Sequence, residues 1–305
     1  MPSASEPATV AEAAAVLAEA SRAGRTVSIG REWGDIALSA RKLDRVLEHE
    51  AGDLTVTVEA GIRLHALNER LAEHGQMLAL DPPGDPTIGA LLAGDLFGPR
   101  VHRYGRPRDL LLGVTVVLAD GTVASAGGKV VKNVAGYDLG KLFCGSQGKL
   151  GLIARASFRL HPRPASARTL VVDVDDRDEA QRLARALLYS HLVPSAADLL
   201  WPGRLAVLFE GGERAVAEQV ARAGELLGGR EASARIWVEA ADRQLAAPAR
   251  SSFGGAELAE RLRGVSEALV RLGPACYLYG DVPPLRWTPL AERIRAELDP
   301  AGVLA

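Results

Sequence analysis

Seven glycines fall between residues 127 and 151, at 127, 128, 136, 140, 145, 148 and 151. A second glycine-containing stretch, Thr87-Ile88-Gly89-Ala90-Leu91-Leu92-Ala93-Gly94-Asp95-Leu96-Phe97-Gly98, precedes it. No other feature limits this chain as strongly. Backbone stripped of side chains at such density can approach another group closely, and its exposed N–H groups can meet an anion. A helix opening at Thr87 would aim its positive end at a phosphate. Each glycine taken alone is better explained by a turn or by tight packing. Their order and neighbours favour a binding surface.

The frame around these stretches is that of a folded globular protein. With 305 residues the chain exceeds what one core usually organises, so two domains are expected. Its net charge of -2 argues against broad electrostatic binding to nucleic acid. Two cysteines, Cys144 and Cys276, are too few for a disulfide framework, a tetrahedral zinc site or an iron-sulfur cluster. Both lie in apolar strings and read as small buried hydrophobes. No uncharged apolar stretch approaches about 20 residues, so no membrane span is expected. The first residues lack the basic region of a secretory signal, and a cytoplasmic location follows by elimination, with peripheral membrane association through partners left open.

Hydrophobic spacing places a helix at Val10–Ala23, stopped by Gly24, and a short strand at Thr26–Ile29 running into Gly30. Leu54–Ala60 alternates as a half-buried strand, and Leu64–His74 returns to helical spacing. Leu110–Ala119 and Thr122–Ser125 flank Asp120-Gly121 and predict a hairpin. A further strand at Leu150–Leu160 ends at His161-Pro162-Arg163-Pro164. The boundary is set there, giving residues 1–164 and 165–305. The second half reads strand, helix, strand, strand, helix, strand, a split βαβ order of the ferredoxin-like type. Its last strand is placed at Ala234–Val238. Helices are expected at Glu257–Leu272 and Thr288–Leu298, with a strand between them at Ala275–Tyr279.

One run is more specific than glycine content. Val131-Lys132-Asn133-Val134-Ala135-Gly136-Tyr137-Asp138 is followed by Gly145-Ser146-Gln147-Gly148-Lys149-Leu150-Gly151-Leu152-Ile153. With Thr87-Ile88-Gly89 before it, this resembles the vanillyl-alcohol oxidase and p-cresol methylhydroxylase flavoprotein superfamily. Within that superfamily it is similar to the FAD-type subunit of bacterial glycolate oxidase. The likeness covers about Val10 to Pro164 and is weaker beyond, although Leu298-Asp299-Pro300-Ala301-Gly302-Val303-Leu304 also resembles the family's terminal segment.

The resemblance implies an α+β fold, a two-lobed FAD-binding domain followed by a smaller ferredoxin-like α+β cap. It implies FAD held non-covalently by Gly30, Gly34, Thr87, Ile88, Gly89, Gly98, Gly136, Tyr137, Asp138, Gly145, Ser146, Gly148 and Ile153. The Thr87 and Ser146 hydroxyls would meet phosphate or ribitol oxygens, and the backbone of Ile153 the adenine or ring edge. It implies a complex in which a larger flavin subunit oxidises a 2-hydroxy acid and an iron-sulfur subunit takes the electrons onward.

Two departures from the family pattern matter. The loop after the first strand, Gly30-Arg31-Glu32-Trp33-Gly34-Asp35, keeps two glycines and places Glu32 and Asp35 where a diphosphate would lie. The second half has one histidine, His191, so a cap-domain metal or substrate motif lacks its ligands. These departures leave two expectations side by side. One is an FAD-binding subunit that is not catalytic alone. The other is an FAD-free scaffold that keeps the fold and assembles the catalytic and iron-sulfur subunits.

Overall fold

A computed structural model of the protein describes residues 2–128, 139–283 and 288–305. The first lobe opens with strand β1 (Ser3–Ser5) and helix α1 (Val10–Ala23). Thr9 caps α1 by accepting the Glu12 N–H, and Gly24 ends it in the left-handed conformation at φ 63°. Leu17 and Ala13 face inward. Strands β2 (Val27–Ile29) and β3 (Ile36–Leu38) then lie parallel to each other, and β3 also pairs with β1.

The larger sheet of this lobe is built from β4 (Val46–Glu50) and β5 (Thr55–Glu59). After helix α2 (Leu64–Ala72), the short β6 (Gln76–Met77), and helices α3 (Ile88–Gly94), α4 (Val101–Tyr104) and α5 (Pro107–Leu110), it is joined by β7 (Leu111–Val117) and β8 (Val123–Gly127). Helix α6 (Leu139–Phe143) leads to β9 (Leu152–Arg159). The strand order is β4-β5-β9-β7-β8, all antiparallel. The β7–β8 hairpin turns at Asp120-Gly121 as its dipeptide predicts, with Asp120 accepting the Thr122 N–H and hydroxyl. Alternate residues such as Val56, Val58, Ala156 and Phe158 point into one core with Leu67, Leu71, Ile88 and Leu91 from α2 and α3.

A short β10 (His161–Pro162) pairs with β6 and hands the chain to the second lobe. There β11 (Ser166–Val174), α7 (Arg177–Leu188), β12 (Ala196–Trp201), β13 (Gly203–Gly211), α8 (Glu213–Leu227) and β14 (Arg230–Ala232) follow the expected order. They pair as β14-β11-β13-β12. This is the strand order of a split βαβ sheet.

The remainder of the lobe differs from the sequence reading. Residues 234–238 are not a strand but the start of α9 (Arg235–Ala246). Ile236 and Ala240, four apart, place one face of that helix on the sheet. The helix expected over Glu257–Leu272 is instead a short helix α10 (Leu258–Arg261) and strand β16 (Ala268–Arg271). With β15 (Ala249–Phe253) and β17 (Cys276–Gly280), β16 extends the sheet to seven strands, ordered β14-β11-β13-β12-β16-β17-β15. Helices α7, α8 and α10 cover one face. On the other face α9 shares a cluster with Phe97 of the first lobe.

The final helix α11 (Pro289–Leu298) and the residues after it pack on the first lobe. Ile294 and Leu298 rest on its larger core, and Leu304 runs parallel to Val27. Val27 donates to the Val303 carbonyl at 2.7 Å and accepts from Ala305 N–H at 3.0 Å. The buried Asp299 carboxylate accepts the N–H groups of Val303 and Leu304, both at 2.8 Å. The strand that feeds the Gly30 loop is therefore paired along both edges.

Candidate functional site

Three segments singled out from the sequence converge in the first lobe. Gly145 N–H donates to the Leu92 carbonyl and Gln147 N–H to the Ala93 carbonyl, each at 2.9 Å. These are among the last carbonyls of α3, which have no partner within the helix. The Gly145–Gly148 loop thus hangs from the C-terminal end of α3. At its far side, a side-chain carbon added to Gly148 would lie 3.2 Å from Cβ of Ile29. Gly148 is buried and adopts φ 79°, so glycine is needed there for both conformation and space. Ile29 leads directly into Gly30. The two glycine loops are neighbours, although more than 110 residues separate them.

The Gly30–Gly34 turn is held from below. The buried Ser28 hydroxyl lies 2.8 Å from the Arg31 carbonyl and 2.7 Å from that of Trp33. Gly30 and Gly34 both have positive φ, and nothing lies within 4 Å of where a Gly30 side chain would begin. Asp35 does not act as the sequence suggests. Its carboxylate turns back to accept the Thr26 N–H at 2.8 Å and the Thr26 hydroxyl at 3.0 Å. Those bonds hold its pKa below the ordinary value. Its charge is spent on closing the turn. Arg31 lies over the exposed Trp33 ring at 4.9 Å.

The residues present fit a diphosphate-bearing cofactor. Ser146 is 3% exposed, and its hydroxyl has no hydrogen-bond partner among the described residues. Buried hydroxyls are rarely left so. Among the described residues, the N–H groups of Arg31, Glu32 and Gly148 also make no hydrogen bond. They sit on the two touching loops. Donors of this kind form an anion-binding concavity without lysine or arginine.

The start of α3 plays a different part from the one its sequence predicts. The Ile88 N–H donates to Ile62 carbonyl at 2.9 Å, Gly89 N–H to Ala60 carbonyl at 2.7 Å, and Ala90 N–H to the Thr87 hydroxyl at 3.3 Å. The first-turn donors are therefore satisfied within the protein. Gly89 is where the helix touches β5's end, since a side chain would lie 3.2 Å from Ala60. Gly98 serves a still closer approach: an added carbon would stand 1.7 Å from the Asp81 carbonyl oxygen. Ile153 is 4% exposed in β9, opposite Val116. Gly136, Tyr137 and Asp138 lie outside the described residues.

Sequence reasoning missed the charged seam between the lobes. Arg100 of the first lobe donates to Glu210 of β13, Nη2 at 2.7 Å and Nε at 3.2 Å. Arg271 and Asp198, both fully buried, form a bidentate pair with Nε–Oδ1 at 3.1 Å and Nη2–Oδ2 at 3.1 Å. Arg271 also reaches the Phe97 carbonyl at 3.3 Å. Asp95, at the end of α3, is paired with Arg106 and with Arg250 of β15. Except for Arg106, 11 residues from Asp95, each partner is remote in sequence, and no local pattern marks it. His191 is exposed after α7. A cleft of about 460 Å3 in the second lobe is lined by Arg204, Arg230, Arg235, Glu239 and Asp242. Its arginines Arg230 and Arg204 are engaged by Asp173 and Glu239.

Asp81 lies within this seam and accepts the Arg100 N–H at 3.1 Å. Burial pushes its pKa up to about 6, against the pull of Arg100 and Arg271. The folded-state value is raised, so the stability it contributes is present below about pH 4 and lost as pH rises through about 6. We expect Asp81→Asn to melt with the parent near pH 4 and above it near pH 8, by roughly 1 to 3 kcal/mol. Equal melting shifts at both pH values would refute the assignment.

Comparison with known proteins agrees with the geometry. Residues 4–127 match the family described as FAD binding domain. The chain is 32% identical over 220 residues to the glycolate oxidase subunit GlcE of Escherichia coli, covering 71% of this chain and 61% of that one. It is 32% identical over 169 residues to the glycolate oxidase subunit GlcD of Bacillus subtilis, covering 55% and 36%. It is 34% identical over 158 residues to the mitochondrial D-lactate dehydrogenase (cytochrome) 1 of Saccharomyces cerevisiae, covering 52% and 27%. The chain thus spans less than two thirds of each of these relatives. In fold it resembles alkyldihydroxyacetonephosphate synthase, with a TM-score of 0.74 at 16% identity over 98% of this chain and 75% of that one. The first lobe of this chain is an FAD-binding domain of the p-cresol methylhydroxylase type, and its cofactor is FAD.

Proposed function

We propose that the chain is the FAD-binding subunit of a glycolate oxidase-like complex that oxidises a 2-hydroxy acid, and that it does not turn over substrate alone. The observation that carries the cofactor half of this reading is the approach of the Gly145–Gly148 loop, whose Ser146 hydroxyl has no hydrogen-bond partner among the described residues, to Ile29 at the start of the Gly30–Gly34 turn. The N–H groups of Arg31, Glu32 and Gly148, with the Ser146 hydroxyl, would hold the diphosphate. Thr87, Ile88 and Gly89 would shape the wall beside it, and Gly98 would let the Asp81 segment close behind that wall. Gly30 and Gly34 give the turn its conformation, Ile153 backs the site from β9, and Gly136, Tyr137 and Asp138 are proposed contacts on sequence alone. No histidine or cysteine lies in the Gly30–Gly34 loop, so the flavin would be held non-covalently.

When bound, FAD supplies an acceptor for a hydride. What this chain supplies is position. Its first lobe offers donors for the phosphates, and its second lobe closes over α3 through the arginine seam. Arg106 and Arg250, the cations nearest the Gly145 loop in that seam, are committed to Asp95 rather than left for a substrate carboxylate. This supports dependence on partners: a larger flavin subunit for the 2-hydroxy acid and an iron-sulfur subunit for the electrons. Among the described residues no helix is long and apolar enough to cross a membrane. We place the complex in the cytoplasm.

The test is direct. The purified chain should show flavin absorbance and release FAD on denaturation. It should not reduce a dye acceptor with glycolate or lactate until the partner subunits are added. A colourless chain that takes up no added FAD would favour the scaffold reading. Turnover by the lone chain would overturn the dependence on partners.

A further inference from the structure

Asp95 joins three things that the sequence keeps apart. It follows α3 in the left-handed conformation, at φ 47°, which few residues other than glycine adopt without cost. Its side chain is buried, and its N–H donates to the Leu92 carbonyl at 3.1 Å. That same carbonyl accepts Gly145 N–H. A side chain begun at Gly145 would lie 3.6 Å from Cβ of Asp95, so the loop runs close beside that residue. The conformation of Asp95 and the seat of the Gly145–Gly148 loop are therefore not independent.

The second lobe holds Asp95 in that conformation. Arg250 donates Nη2 to the Asp95 carboxylate at 2.8 Å and Nη1 to the Asp95 main-chain carbonyl at 3.2 Å. It grips side chain and backbone together. Its guanidinium lies over the Phe97 ring at 4.6 Å, which limits the alternatives open to it. Arg106 of the first lobe completes the clamp on the same carboxylate. Arg250 belongs to β15, the edge strand of the seven-stranded sheet, 155 residues from Asp95.

We infer that Arg250 is a positioning residue for FAD: through Asp95 it fixes the Gly145–Gly148 loop, so docking of the second lobe and occupancy of the flavin site are linked. The inference rests on the placement of FAD along that loop. Linkage is reciprocal, so bound FAD should in turn tighten the hold of the second lobe on the first. Arg250 touches no atom of the proposed site. Its effect should pass entirely through Asp95.

The test is FAD titration of the full chain by flavin fluorescence, with circular dichroism to confirm that each variant is folded. Arg250→Ala should weaken FAD binding about tenfold, and Arg250→Lys, which keeps the charge but not the two-point grip, by less. Asp95→Asn should weaken it comparably. Combining Asp95→Asn with Arg250→Ala should cost no more than either alone, because both break one connection. Gly148→Val serves as the control for the site itself, since it displaces the loop from Ile29. Loss of FAD by Gly148→Val with unchanged affinity in folded Arg250→Ala or Arg250→Lys would overturn the linkage and leave the site standing. Unchanged affinity in Gly148→Val would overturn the site, and the linkage with it. Fully additive effects of Asp95→Asn and Arg250→Ala would also overturn it, because a structural loss alone adds.

Discussion

Asp198→Ala should destabilise the protein by about 3 to 5 kcal/mol, read as a shift in the urea midpoint. The reason is what remains. Arg271 is fully buried and always charged, and Asp198 is its bidentate partner. Removing the carboxylate leaves a guanidinium out of water whose remaining hydrogen bonds among the described residues are to the Phe97 carbonyl and the Tyr279 hydroxyl, at 3.3 and 3.4 Å, with Asp81 as a more distant counter-charge. Replacing both partners, as Asp198→Leu with Arg271→Met, should recover most of that stability, because a buried pair gains little net energy over a well-packed apolar pair. The recovery should be incomplete. Arg271 also ties β16 to Phe97 of the first lobe, and methionine makes no such bond. A single variant that loses less than about 1 kcal/mol would show that water reaches Arg271.

Gly98→Ala should cost about 3 kcal/mol or more and lower FAD retention with it. An added carbon would stand 1.7 Å from the Asp81 carbonyl oxygen and 2.4 Å from its carbon. Both are main-chain atoms, so no rotation of a side chain relieves the clash. The Asp81–Gly84 turn must move away from α4. That movement also takes Asp81 from the Arg100 N–H, and Arg100 from its geometry on Glu210. Differential scanning fluorimetry with and without FAD measures both effects. An alanine variant that melts with the parent would mean that the Asp81 segment yields freely.

The two variants probe one seam, and the seam explains why the lobes behave as a unit. Four arginines (100, 106, 250 and 271) pair with three carboxylates (Glu210, Asp95 and Asp198), and Asp81 accepts the main-chain N–H of Arg100. Exposed ion pairs contribute little, but these are partly or fully shielded, and breaking one strands its partner. The loops that would hold FAD lie against this seam at Asp95.

Much of the scaffold was legible in the residues. α1 and α8 fall where apolar spacing predicts, since Gly24 and Gly228 stop them. The first five elements of the split βαβ order were legible in place, whereas its last strand lies at Arg230–Ala232 and not at Ala234–Val238. α9 was not. Arg235-Ile236-Trp237-Val238 has the composition of a strand, and only the sheet beneath selects helix, by receiving Ile236 and Ala240 on one face. β16 was likewise hidden. Ala268–Arg271 is fully buried and strand-paired on both sides, so it shows no alternation to read.

The Val131–Asp138 and Gly145–Ile153 runs pointed to the kind of cofactor through their resemblance to a flavoprotein family, while glycine spacing by itself marks only where backbone must come close, which is a local property. They also singled out Ser146 and Gly148 as proposed contacts. Tertiary structure alone decided three things. It turned Asp35 back onto Thr26, taking one of the two acidic side chains of the Gly30–Asp35 loop out of the charge conflict. It gave the first N–H groups of α3 to the Ala60 and Ile62 carbonyls, which is why the proposed donors are on the two touching loops instead. It brought Arg250 to Asp95 across 155 residues. Ion pairs and hydrogen bonds over such separations leave no period or motif in the chain; they exist only once packing has fixed the geometry in which a donor and an acceptor meet.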